Sequence, residues 1–250
     1  MTLNPVPLKE CFLQLNCTTD IMRFILLRIM LCFCLLSGSI MARDPQFLIQ
    51  FIPVYGKVVL NINGEWLHTE NGDSIKLEVL KFYISGIKLK DGNKIVYESN
   101  LPHLIDCSDE GGKAIMAEVA NDAFNKIEFN LGIDSIINVS GAMGGDLDPT
   151  RGMYWTWQSG YINMKLEGIT GINKQSFQFH LGGYQFPENA LRSCELDLQQ
   201  NSLSTIVIQF DIQKLLQDVD PEKINHVMSP GSDAMILSDF AIKSFSIRQQ

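Results

Sequence analysis

From Ser74 to Val79 polar and apolar side chains alternate without a break, and the run Leu80 to Leu89 carries the segment on to a turn at Asp91-Gly92-Asn93. A period of two puts every second side chain on one face of a strand. A helix would scatter the same apolar residues around all its faces and bury none of them well. This segment therefore demands neighbouring strands and a second layer to cover its apolar face.

The rest of the chain supplies such neighbours. Phe47–Phe51, Lys57–Ile62, Leu104–Asp106, Asn125–Gly132, Tyr161–Glu167, Ser176–Leu181 and Ser204–Asp211 read as strands, and Ile95–Tyr97 as a short edge. Helical periodicity is confined to Asp211–Val219 and to Asp233–Lys243, where Ala234, Leu237, Phe240 and Ala241 fall on one face. Many short strands separated by turn residues predict an all-β chain, a single-domain antiparallel β-sandwich with one or two short helices. Gly141–Gly152, with four glycines and one proline, reads as a long loop, and long loops in compact domains often carry function.

The first forty residues follow a different logic. From Met22, a better start than Met1, Arg23 and Arg28 precede an apolar run near Ile29–Leu36, then Ser37-Gly38-Ser39 and Ala42. That order predicts a signal peptide over residues 1–42, removed on export, with the domain spanning 43–250 and no retained membrane span. The expected location is the periplasm, the cell surface or the medium. Four of the six cysteines fall in the leader, and Cys107 and Cys194 remain either as one disulfide or as two buried thiols. A formal charge of −8 makes nucleic acid an unsuitable partner.

Catalytic signatures are missing: there is no G-x-S-x-G elbow, phosphate loop or H-E-x-x-H pair, so no enzyme is expected. Asp146-Leu147-Asp148 lacks the rest of a calcium loop, and nothing brings Glu167 and Glu195 into a glycosidase pair. Histidine is scarce: His68, His103, His180 and His226. His180 is the best metal-ligand candidate, on an alternating strand just before Leu181-Gly182-Gly183, where glycine permits close approach of other groups. Trp66 and His68 project from one strand face. Gly152-Met153-Tyr154-Trp155-Thr156-Trp157-Gln158-Ser159-Gly160-Tyr161 is dense enough in aromatics to form a packing corner.

That block, with Phe82–Ile87 (FYISGI), Asn130–Asp134 (NLGID), Leu147–Gly168, Phe179–Tyr184 (FHLGGY) and His226–Gly231 (HVMSPG), resembles the MbnP-like family of methanobactin-associated copper-binding proteins. The likeness runs from about residue 47 to residue 247. It implies an exported β-sandwich holding Cu(I) through two histidines and a tryptophan oxidised to kynurenine by a partner di-haem enzyme of the peroxidase type. His180 falls on the family's HLG motif. Asn138–Gly141 and Tyr83–Ser85 carry no histidine, so the second ligand has no motif to place it. His68 beside Trp66 is the local Trp–His pair, which makes His180, His68 and Trp66 the expected copper residues, with Trp155 or Trp157 as other oxidisable indoles. The alternative is a metal-free periplasmic or surface β-sandwich interaction module of the same family.

Overall fold

The N-terminal aliphatic run becomes strand β1 (Gln46–Tyr55), which turns through Gly56 into the short β2 (Val58–Val59). The expected strand over Lys57–Ile62 stops early because Leu60 turns inward, its amide donating to the Pro53 carbonyl at 2.9 Å. The computed structural model describes residues 46–62, 64–68, 74–119, 124–158, 160–170, 174–198, 205–219, 221 and 223–248. The expected signal peptide over 1–42 lies outside the described residues.

After β3 (Trp66–His68) comes β4 (Ser74–Asp91), the alternating segment, as one strand of 18 residues. A turn at Gly92 leads to β5 (Lys94–Ser99), β6 (His103–Asp106), β7 (Ala114–Glu118) and β8 (Lys126–Leu131). Helix α1 (Ser135–Val139) and two 3-10 turns, Gly145–Leu147 and Pro149–Arg151, lead to β9 (Tyr154–Trp155). The hairpin β10 (Gly160–Thr170) and β11 (Ser176–Gly182) follows, then a small hairpin of β12 (Tyr184–Gln185) and β13 (Glu188–Asn189). The chain ends with β14 (Arg192–Asp197), β15 (Thr205–Asp211), α2 (Ile212–Asp218), β16 (His226–Val227), α3 (Ser232–Lys243) and β17 (Phe245–Ile247).

β4 is the spine of the larger sheet. One edge carries β3, β6 and β5 in turn, and the other carries β10 and then β8. The strand shifts register between Ser85 and Lys88, around Gly86 at φ 58°, a left-handed conformation that glycine adopts without a Cβ penalty. β11 and β16 extend the sheet from β10, and β14 extends it from β8. The smaller sheet runs β17-β15-β1-β2, with β7 also on β1. Alternate residues of β4, β8, β10 and β11 meet those of β1 and β15 in the main core.

The sandwich-like fold is as expected, but its sheets are mixed. β1 pairs with β15 in parallel over Leu48–Val54, and β11 with β16 in parallel. Parallel neighbours cannot be joined by a hairpin, and nothing local in the sequence announces such a pairing. Three α-helices are present among the described residues. The unforeseen one, α1, starts where the Asp134 carboxylate accepts the Ile137 amide hydrogen bond at 2.9 Å. In α3, Ala234, Leu237 and Ala241 are buried as the periodicity requires, whereas Phe240 is only partly covered.

Candidate functional site

On the hairpin β10–β11, Lys165 lies opposite His180 and Glu167 opposite Gln178. Glu167 and His180 are thus diagonal neighbours on the outer face, turned away from Phe177, Phe179 and Leu181 in the core. The Nε2 of His180 lies 2.6 Å from Oε1 of Glu167, and Lys165 Nζ lies 3.3 Å from the same oxygen. His180 is only 5% exposed. Burial lowers its pKa more than the Glu167 hydrogen bond raises it. Burial opposes the charge on Glu167, yet the hydrogen bond to His180 and the Lys165 ammonium still hold its carboxyl below the ordinary range. The resting pair is therefore a carboxylate and a neutral imidazole that donates from Nε2 and keeps its Nδ1 lone pair.

The same burial lowers the pKa of His103. A lowered imidazole pKa means that the unfolded chain binds more protons than the folded one just below pH 6.5. Metal-free protein should accordingly lose stability as pH falls from about 6.5 through the two lowered values. Urea midpoints at pH 7.5, 6.5 and 5.5 measure this, and His103→Gln should flatten part of the slope. A pH-independent midpoint over that range would contradict buried neutral imidazoles.

A second, smaller core covers the outer face nearby: Tyr83, Leu104, Ile133, Leu147, Met153, Trp155, Tyr161 and Ile162. It is built by the segment predicted as a long loop and by the aromatic corner that follows it. Polar groups fasten that segment down. The Tyr83 hydroxyl donates to the Asp146 carbonyl at 2.9 Å, and that of Tyr161 to the Leu147 carbonyl at 3.0 Å. Burial pushes the Tyr83 hydroxyl far up in pKa, which keeps it a donor. Buried Asn138 donates to the Ile133 and Asp134 carbonyls, each at 3.0 Å, and accepts from the Tyr161 amide at 2.9 Å.

Trp155 lies over Gly182, where a Cβ would come within 2.6 Å of the indole. This is the close approach that the glycines after His180 anticipate. Gly182 and His180 share the outer face of β11, so the roofing indole is next along the strand from the imidazole. The Nε1 of Trp155 is buried and without a partner among the described residues. Trp157 is 64% exposed, its ring 5.8 Å from that of Trp155.

The fold does not bring His68 and Trp66 to this place. Lys76 of β4 pairs with Trp66 on one side and with Ile169 of β10 on the other. His68 therefore lies three strand spacings from His180 and seven residues away along β4, a gap on the order of 25 Å. Its Nδ1 is 3.1 Å from the Ser74 hydroxyl, and both His68 and Trp66 are exposed. His226 is the histidine that the sheet does bring close. It pairs with Gln178, while its neighbour Val227 points into the core, so His226 shares the outer face with His180. Their Cα atoms are about 8 Å apart by strand spacing and rise.

The remaining candidates have structural work. Asp146 accepts the Leu104 amide at 3.2 Å, Asp148 caps Thr150, and Glu195 is paired with Lys90 and Lys126 rather than with Glu167. Cys107 and Cys194 are both free thiols; burial pushes Cys194 up to about 11 and Cys107 further. Among the described residues no three His, Cys, Asp or Glu side chains converge as a metal cluster. Glu167 and His226 are the residues that sequence reasoning missed. Their only signal was a place opposite or beside the His180 strand, which requires the register.

The class defined by these features is a sandwich-like β-domain of mixed sheets, its outer face carrying a carboxylate-braced imidazole under an indole. The chain belongs to the MbnP family, whose model matches residues 44–229. Among solved structures, MbnP from Methylosinus trichosporium shares the fold, with a TM-score of 0.51 and 15% sequence identity over 76% of this chain and 81% of that one. Comparison with curated proteins gives no match.

Proposed function

We propose that the chain is an exported, non-enzymatic Cu(I)-binding protein in which His180 is the anchored imidazole ligand and His226 the second. The observation that carries this is the Glu167–His180 pair. A metal-bound histidine commonly donates its other ring N–H to a carboxylate, which sets the tautomer and aims the free nitrogen. Here that nitrogen is Nδ1, on an imidazole that burial favours as neutral. Two imidazoles with Cα atoms about 8 Å apart on one face suit a single ion of low coordination number. Trp155, beside the imidazole, replaces Trp66 as the indole best placed for oxidation, and Trp157 offers an exposed route to it for a di-haem partner of the peroxidase type. Among the described residues no helix is long and apolar enough to cross a membrane.

Copper supplies the ligand-exchange chemistry of a carrier, and the protein's own residues orient and shield the imidazole. Metal-free protein titrated with Cu(I) against a chromogenic chelator should bind one ion. Glu167→Gln should weaken binding by about 10–100-fold, with His180→Ala losing at least as much. Intact mass of protein from its native host should show a gain of about 4 Da if an indole has become kynurenine at the copper site. Protein that ignores Cu(I), or binds it equally well without His180, sinks this reading.

A metal-free surface interaction module is the second reading. Ile136, Val139, Trp157 and Phe186 are exposed on α1, the aromatic corner and the β12–β13 hairpin, and apolar side chains of that kind mark contact surfaces. The same titration decides between the two.

A further inference from the structure

One row across the outer face of the larger sheet runs Asp106 on β6, Lys81 on β4, Lys165 on β10 and His180 on β11, each residue directly opposite the next. Two lysines side by side in such a row repel, and like charges in directly opposed positions destabilise a sheet. Each is neutralised by a different acid. Lys81 Nζ lies 2.8 Å from the Asp106 carboxylate, and Lys165 Nζ lies 3.3 Å from Oε1 of Glu167. That oxygen is the one that His180 Nε2 meets at 2.6 Å. A neutral side chain at position 165 would remove the repulsion and leave the Glu167–His180 hydrogen bond in place. Sheet stability therefore gives no reason for an ammonium here.

Its charge acts on the imidazole. The side chains of Lys165 and Glu167 are 21% and 19% exposed, so salt and water screen them incompletely. Burial is the chief cause of the low His180 pKa, and the Lys165 charge lowers it further. A metal ion on Nδ1 would add positive charge to the same ring and meet the same repulsion. With Lys165 in place, ammonium and carboxylate cancel, and the neutral imidazole stands in a site of zero net charge. Without it the site would carry one negative charge. Coulomb energy scales with the charge of the ion, so a nearby ammonium costs a divalent ion twice what it costs a monovalent one.

We infer that Lys165 sets the charge selectivity of the copper site, reserving it for monovalent Cu(I) against divalent ions such as Zn(II). This rests on the copper reading above, with Lys165 as a positioning residue that touches Glu167 and not the metal. Zn(II) is the apt competitor, because imidazole binds both metals and Zn(II), like Cu(I), has a filled d shell and imposes no geometry of its own.

The test measures the affinity of the metal-free full chain for Cu(I) and for Zn(II), each against a chromogenic chelator. An ammonium one side chain removed from the ion implies about a tenfold effect per unit of ion charge. Lys165→Met should accordingly tighten Cu(I) about tenfold and Zn(II) about a hundredfold. Lys165→Gln, a second neutral variant, should repeat that shift, and Lys165→Arg should keep the wild-type ratio of the two affinities. The urea midpoint of Lys165→Met should be no lower than that of the wild type, which separates a charge effect from damage to the sheet. An equal change for the two metals, or no change, overturns the inference while the copper reading stands. Wild-type protein that ignores Cu(I) overturns the copper reading and this inference with it.

Discussion

Phe245→Ala is expected to destabilise the protein by about 3–5 kcal/mol, the usual cost of emptying a large aromatic site in a packed core. The Phe245 ring lies 4.7 Å from Phe210, 5.4 Å from Phe129, 5.6 Å from Phe82 and 6.3 Å from Phe51. Phe51 and Phe210 come from the smaller sheet, Phe82 and Phe129 from the larger. The last strand of the chain therefore drives a ring into the seam between the layers. A cavity there has rings on every side, and mutual edge-to-face contacts resist collapse into it. Against a typical total of 5–15 kcal/mol, this is a large fraction of the stability. Urea unfolding should show a much lower midpoint with an unchanged slope. A loss below about 1 kcal/mol would mean that the two sheets are joined elsewhere.

Asn138→Ala should cost about 2–5 kcal/mol through a different route, unpaired polar groups rather than a void. Its amide joins the Ile133 and Asp134 carbonyls to the Tyr161 amide, bridging α1 and the start of β10 beneath the aromatic corner. Alanine leaves the buried Ile133 carbonyl and the Tyr161 N–H facing protein without partners. The corner that seats Trp155 over Gly182 should loosen before the main core does. Hydrogen exchange at the Tyr161 amide should rise, and the near-ultraviolet signal of the tryptophans should weaken, while the far-ultraviolet strand signal persists. Unchanged exchange at Tyr161 would show that the segment is held by Tyr83 and Tyr161 alone.

The candidate site was legible only in pieces. His180 stood out because its strand alternates and its glycines admit a neighbour, and both properties are local. His68 and Trp66 were the weaker candidates, joined to it only because two side chains on one strand face share a direction. Their distance from His180 depends on which edge of β4 each strand takes, and both edges look alike in the sequence. Glu167 was visible as an acid on a strand, yet its partner is set by the exact pairing of β10 with β11. His226 was harder still, because the two-residue strand that carries it has no periodicity to read.

What the sequence alone determined was the behaviour of each segment: alternation made strands, Asp211 and the spacing of Ala234 and Leu237 made helices, and the glycine- and aromatic-rich block made a packed corner. These follow from side chains a few residues apart, whose energetics do not depend on the rest of the chain. The tertiary structure decided the parallel joins of β1 with β15 and β11 with β16, the edge on which each neighbour of β4 lies, and so which imidazole faces His180. Those choices turn on how tens of residues of intervening chain close and on which faces bury best together, a balance that no local pattern records.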